Sequence, residues 1–331
     1  MGILPHRDVQ AAMRLAFSLD IPFWPQLPRV RFQEDMYAQA CDGLPGFAVD
    51  AQEKTVRFSY ESFLQELETY AARSDEPDYL ALSEGSSVVF RQFLEQDVAS
   101  AWAIRGHMIG PVSFGLKIFD AEKRPVIYNP DVRSIIFDAF ARKVNWQYRM
   151  LSQRNPRAFV WLDEPGLEML WMSFTGYTDQ SAKADLGAVL EAIQGPRGIH
   201  LCGKPDWDFL LTAPIDILSL DAYRCGEVFV AYDQAAEFLR QGGVIGWGIV
   251  PTHQDILKDE TLDGLRSRLA HLWSRLAQKG IAEDRIARQA VLAPATCCLL
   301  NPDEGVTVER AFEWLRSLSV QVRREFGLDR T

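Results

Sequence analysis

Basic residues are the scarcer charge in this sequence. Lysine and arginine total 35 against 45 aspartates and glutamates, a net charge of −10 over 331 residues, with a pI near 5.1. No run of arginines and lysines occurs, which argues against a nucleic-acid groove or an anionic membrane as partner, since both demand a basic surface. The opening, Met1-Gly-Ile-Leu-Pro-His-Arg-Asp8, lacks the basic start and long apolar stretch of a signal peptide. No window has the uninterrupted apolar length of a membrane span, so a cytoplasmic location is expected. Gly2 opens no lipidation signal, because the place of the required serine or threonine is taken by His6. Cysteine is sparse and odd in number, at Cys41, Cys202, Cys225, Cys297 and Cys298. In a reducing compartment that pattern points to core residues, nucleophiles or metal ligands instead of disulfides. A Gly-x-Gly-x-x-Gly turn is also missing, which removes the main support for an open, doubly wound nucleotide-binding sheet.

What is present is a repeated grammar: an apolar strand, a polar or glycine- or proline-rich loop, then an amphipathic helix. Strands are expected at Trp102 to Ile109, Ala158 to Asp163, Ile199 to Cys202, Ile217 to Leu220, Val244 to Val250 and Ala290 to Ala293. Helices are expected at about Arg7 to Ser18, Tyr60 to Arg73, Ser86 to Ser100, Asp131 to Ser152 and Gln180 to Gln194. Further helices follow at Trp207 to Leu211, Val228 to Arg240, Glu260 to Gln278 and Val308 to Phe326. A very short strand at Gly2 to Pro5 and a strand or helix start within Arg29 to Gln39 bring the count to eight βα units. Ile21-Pro-Phe-Trp-Pro-Gln-Leu-Pro28 reads as a rigid loop, and residues 42 to 58 as an excursion with a hairpin. Eight such units in this length predict a single (β/α)8 TIM barrel over residues 1–331, with functional groups at the C-terminal ends of the strands.

The most informative stretch is Gly198-Ile-His-Leu-Cys-Gly203. Alternate residues of a strand share a face, so His200 and Cys202 present an imidazole and a thiol side by side at a strand end. Mixed nitrogen and sulfur ligation suits zinc, and Asp221, at the end of the next strand, and the Cys297-Cys298 pair offer further ligands. The plainer reading of each is available: the pair fills core, and Asp221 caps the following helix. Cys225 lies past its strand end and reads as structural. Asp163-Glu-Pro165 places two carboxylates at another strand mouth, where one could hold a substrate ammonium group. His253, on the loop after Val250, is open to inertness or proton transfer.

Together these residues resemble the uroporphyrinogen decarboxylase and methionine synthase superfamily of barrels. The likeness is to the catalytic domain of cobalamin-independent methionine synthase and its short single-domain relatives, the core methionine synthases. It runs from Gly2-Ile-Leu-Pro5 through Gly110-Pro111, Asp163-Glu-Pro165, His200-Leu-Cys202 and Asp221 to Cys297. The resemblance implies zinc held by His200, Cys202, Asp221 and Cys297, with Cys298 the alternative to Cys297. It implies that Asp163 binds the amino group of homocysteine and that His253 moves a proton. Three departures stand out: Asp221 replaces a glutamate, an extra residue and second cysteine interrupt the usual Pro-x-Cys-Gly, and Pro251 replaces an aspartate.

The activity so implied is zinc-dependent transfer of a methyl group to a small thiol, homocysteine giving methionine. The donor is a methylated corrinoid protein or methyl-folate. The alternatives are a decarboxylase-like lyase without metal, for which an arginine-lined pocket would speak, and methylation of another thiol such as coenzyme M.

Overall fold

Six apolar runs, each too short to bury itself, pair side by side into one parallel sheet. The computed structural model describes residues 2–171, 177–296 and 301–328. A small antiparallel hairpin, β1 (Phe47–Asp50) against β2 (Thr55–Phe58), precedes the sheet in the chain. The parallel strands are β3 (Ile104–Ile109), β4 (Ala158–Asp163), β5 (Arg197–Leu201), β6 (Ile217–Leu220), β7 (Val244–Val250) and β8 (Ala290–Pro294). They pair strictly in chain order. Unreversed order is the winding of a barrel, whereas a doubly wound sheet changes direction at a switch point. Every residue of β3, β4 and β6 is buried, as expected for parallel strands with helices outside and side chains filling the inside. The helix Pro130–Ser152 covers β3 and β4, and the helix Val306–Glu325 covers β8.

Among the described residues the sheet has six strands and not the eight expected. The two missing places are occupied by segments joined through isolated bridges. Ile3 bridges Gln26, and Phe23 bridges Arg105 of β3, both in parallel sense. Pro22, Pro25 and Pro28 explain why no ladder forms here, since proline has no N–H to contribute. The second strand is therefore not within Arg29 to Gln39. That stretch forms a 3-10 turn, Phe32–Glu34, and a short helix, Met36–Ala40, capped by Asp35 Oδ1 on the Tyr37 N–H at 2.8 Å. Two helices also differ from expectation. The one over Ser86 to Ser100 spans only Val88–Leu94, because Asp97 Oδ1 accepts the Ala99 N–H at 3.2 Å and turns the chain. The one over Val228 to Arg240 is two helices, Ala222–Ala231 and Asp233–Arg240, broken at extended Tyr232.

Where the ladder beside β3 fails, a side chain replaces it. Gln147 Oε1 accepts the His107 backbone N–H at 2.8 Å and the Trp24 indole N–H at 3.0 Å, and Gln147 Nε2 donates to the His107 carbonyl at 3.2 Å. The amide of Gln147 thus acts as a peptide group inserted from the helix Pro130–Ser152. Gly106 makes room for it, since a Cβ there would stand 2.0 Å from Gln147 Oε1.

A second buried polar side chain fixes the loop after β4. Glu164, fully buried, accepts from the Val112 N–H (3.1 Å), the Ser113 N–H (2.8 Å) and the Ser113 hydroxyl (2.6 Å). Those amides open the helix Pro111–Lys117, whose N-cap, Gly110, has no side chain with which to satisfy them. Gly110 is also required sterically, because a Cβ would lie 2.1 Å from the Glu164 carboxyl carbon. Of the two carboxylates in Asp163-Glu-Pro165, this one is a structural anchor.

Two outcomes follow from these buried anchors. Gln147→Leu leaves the His107 N–H and carbonyl and the Trp24 indole unmet, and should lower stability by roughly 2 kcal/mol or more. An unchanged urea midpoint would contradict the surrogate-strand role. Burial raises the Glu164 pKa from 4.5 to about 7, with the Ser113 hydroxyl and the two N–H groups opposing. A carboxyl raised in the folded state contributes stability that is full below about 4.5 and is lost as pH climbs through about 7. Urea midpoints over that range should therefore fall more for the wild type than for Glu164→Gln; parallel curves would rule this out.

Candidate functional site

The parallel register brings the polar residues of three neighbouring strands to one end. Asp163, the last residue of β4, pairs with His200 of β5, and His200 pairs with Ser219 of β6. Asp221 follows β6 directly, and Cys202 follows β5. All lie at C-terminal strand ends, the position at which barrels keep their functional groups.

His200 is fully buried, and its ring is fixed from two sides. Nδ1 lies 2.9 Å from the Ser219 hydroxyl, and the Trp161 ring stacks against it, centroids 5.7 Å apart at 29°. Nε2 has no hydrogen-bond partner among the described residues. Asp163 is buried with neither carboxyl oxygen bonded among the described residues. Burial pushes its pKa up, against the opposing fields of His200 and Arg105. Asp221 carries both roles considered for it. Oδ1 caps the helix Ala222–Ala231 by accepting the Arg224 N–H at 3.0 Å, while Oδ2 is buried without a partner among the described residues. Burial raises the Asp221 pKa to about 6, opposed by the same Arg224 N–H. Cys202 is half-buried, and its field, like that of His200, acts on both Asp163 and Asp221. Asp163, His200, Cys202 and Asp221 therefore share one electrostatic neighbourhood.

Among the described residues, no three histidine, cysteine, aspartate or glutamate side chains form a group that could hold a metal ion. Cys297 and Cys298 lie outside the described residues. The residues flanking them are tied to the loop after β7. The Thr252 and Thr296 hydroxyls are 2.6 Å apart, and Asn301 donates to the Thr252 carbonyl at 2.7 Å while accepting the Gln254 N–H at 3.0 Å. His253 sits in that same loop, half-buried, as N-cap of the short helix Gln254–Leu257. Cys225 is buried in the helix Ala222–Ala231, and burial raises its thiol to about 11, as suits a structural cysteine.

Three residues near the site were not anticipated. Arg105 of β3 is buried, with its guanidinium 4.2 Å from the Trp161 ring centroid and 4.8 Å from that of Phe23. His107, on the same face of β3, is fully buried, stacked on Trp24 at 4.6 Å and 14°, with neither ring nitrogen bonded. Burial and the Arg105 charge hold it well below the usual histidine range, so it is neutral. Ser219, the third, orients His200. The Arg105-x-His107 spacing is the same alternation that drew attention to His200-x-Cys202, and would have signalled β3 as a contributor.

No protein-family model matches the chain, and no curated protein matches it in sequence. Solved structures do. A methyltransferase from Methanosarcina mazei aligns over 96% of this chain and 84% of its own, with a TM-score of 0.54 and 15% identity. A Listeria monocytogenes protein provisionally named vitamin-B12 independent methionine synthase aligns over 96% of this chain and 85% of its own, with a TM-score of 0.53 and 12% identity. At such identities the likeness is one of fold: this chain shares with both an α/β architecture wound like a barrel.

Proposed function

We propose that the chain is a single-domain methyltransferase of the barrel superfamily that includes the cobalamin-independent methionine synthases, acting on a small thiol at a zinc centre. The observation that carries this reading is the set of buried polar atoms without partners at adjacent strand ends: both Asp163 oxygens, His200 Nε2 and Asp221 Oδ2. Buried lone pairs left unmet by protein are costly unless a ligand meets them. The donor types, one imidazole nitrogen, the Cys202 sulfur and a carboxylate oxygen, suit zinc. Among the described residues no three such side chains stand close enough together to hold an ion, so the reading requires Cys297 or Cys298 to complete the shell and His200, Cys202 and Asp221 to draw together around the metal.

In this reading His200, Cys202 and Asp221 hold the ion with one of that cysteine pair. Zinc, when bound, supplies a Lewis acid that lowers the pKa of an incoming thiol. Ser219 fixes the His200 ring so that Nε2 faces the site, in the manner of outer-shell partners of metal-binding histidines. Asp163 receives the ammonium group of the acceptor, homocysteine, and the positive charge keeps the buried carboxyl ionised. The sulfur–methyl bond forms as the bond from methyl to its donor breaks. A methyl-folate donor leaves with a proton, which His253 supplies; a methylated corrinoid protein needs none. The lyase alternative called for an arginine-lined pocket; Arg105, Arg288, Arg316 and Arg323 do line a cavity, but none of Asp163, His200, Cys202 and Asp221 lines it.

Metal analysis of purified protein should find about one zinc per chain, falling to a small fraction in Cys202→Ser together with methyl transfer. Full activity in that variant would sink the proposal. Asp163→Asn should keep its zinc but raise the KM for homocysteine. Loss of a charged hydrogen bond costs about 1.5–3 kcal/mol, which is roughly tenfold to a hundredfold. A thiol lacking the amino group should be unaffected; equal losses for both thiols would remove Asp163 from its assigned role.

A further inference from the structure

The sheet ends at β8, and the segment Leu19 to Phe23 joins the β3 side through the Phe23–Arg105 bridge and the Trp102 N–H donated to the Asp20 carbonyl at 3.2 Å. Between β8 and that segment lies a cavity of about 550 Å³, well within the size range of small-molecule sites. It runs along β8 from Ala290 to Pro294 and reaches Trp102, Arg105, Phe159 and Trp161 on the β3 and β4 side, and none of Asp163, His200, Cys202 and Asp221 lines it. The helix Val306–Glu325 covers it from outside through Phe312, Leu315 and Val322. Trp161 and Arg105 form the partition between this cavity and the site above. The Trp161 ring faces the cavity while lying 5.7 Å from the His200 ring.

Three features distinguish the cavity from a packing gap. Its walls are apolar and aromatic, from Ile21, Phe23, Phe159, Trp161, Val291 and Phe312. Its polar lining is cationic: Arg105, Arg288, Arg316 and Arg323 against a single acid, Asp20, in a chain whose net charge is −10. Arg323 is paired with Asp20 and Arg288 with Asp284, whereas Arg316 is exposed at the rim and makes no ion pair among the described residues. Finally, the Trp161 indole N–H is a buried donor with no acceptor among the described residues.

We propose that this cavity is a second binding site, for a small amphipathic organic anion whose apolar body packs between the aromatic walls and whose carboxylate meets Arg316 at the rim. A medium-chain carboxylate has this chemistry. The arrangement uses the open wall beside β8, and it does not depend on the methyl-transfer reading, since the residues that test it, Arg316 and Val291, have no part in that chemistry.

Isothermal titration of the full chain with decanoate, with decanol and decyltrimethylammonium as comparators, tests the proposal. Decanoate should bind one-to-one and more tightly than either comparator. Arg316→Gln should weaken decanoate about threefold, the size of an exposed ion pair, and leave decanol unchanged. Val291→Trp, which fills the cavity from β8, should abolish decanoate and decanol binding alike. Absence of decanoate binding, equal or tighter binding of the cation, or decanoate affinity unchanged in either variant would overturn the proposal. Circular dichroism checks that Val291→Trp is folded; if it is not, the surface variant Arg316→Gln and the comparators decide.

Discussion

Burial of polar groups without protein partners is the constraint on which the account rests. A protein interior tolerates few unmet carboxylate oxygens or imidazole nitrogens, because each loses its water and gains nothing in exchange. Here Asp163, His200 and Asp221 concentrate such atoms at the ends of three adjacent strands, β4, β5 and β6. Some equally buried groups nearby are met by protein, whereas others away from these strand ends, the His107 ring among them, are open among the described residues. Glu164, one residue from Asp163, accepts three hydrogen bonds, and Gln147 makes three. The contrast between Glu164 and Asp163 shows that the fold can satisfy polar groups at this depth; what sets Asp163, His200 and Asp221 apart from the other open groups is that they gather at adjacent strand ends.

The satisfied and unsatisfied groups depend on one another. Glu164 pins the helix Pro111–Lys117 to the loop after β4, which fixes the end of the strand from which Asp163 projects. Ser219 and Trp161 hold the His200 ring in one orientation. Asp221 is locked by its cap to Arg224 through one oxygen, leaving the other in a defined place. Rigid support of this kind is what a binding constellation requires, since small displacements of donor atoms are costly. The open side of the sheet, where the proline-rich segment forms no ladder, lies beside β3.

Much of this was legible in the sequence, and the reasons are specific. β4, β6 and β7 fall at the expected residues because each is an apolar run closed by a polar residue, proline or glycine. His200-x-Cys202 could be read from alternation alone. The first two barrel positions could not, since Ile21 to Pro28 lies beside β3 while forming only a single bridge to it, a pairing that leaves no periodicity to detect. Gln147 was invisible for a related reason: a polar residue in an amphipathic helix normally faces solvent, and only the tertiary gap beside β3 turns it inward. The split at Tyr232 was missed because Asp221 starts its helix earlier than the apolar pattern indicates. Arg105 and His107 were passed over inside an otherwise apolar strand, although their spacing carried the signal.

The central claim is that the open atoms of His200 and Asp221 join Cys202 and one of the Cys297-Cys298 pair around a zinc ion. X-ray absorption at the zinc edge of the purified protein tests it most directly. The account predicts a mixed shell with two sulfurs at ~2.3 Å and lighter nitrogen or oxygen ligands at ~2.0–2.2 Å, losing one sulfur in Cys202→Ser. A shell of light atoms alone, or one unchanged by that substitution, would contradict it.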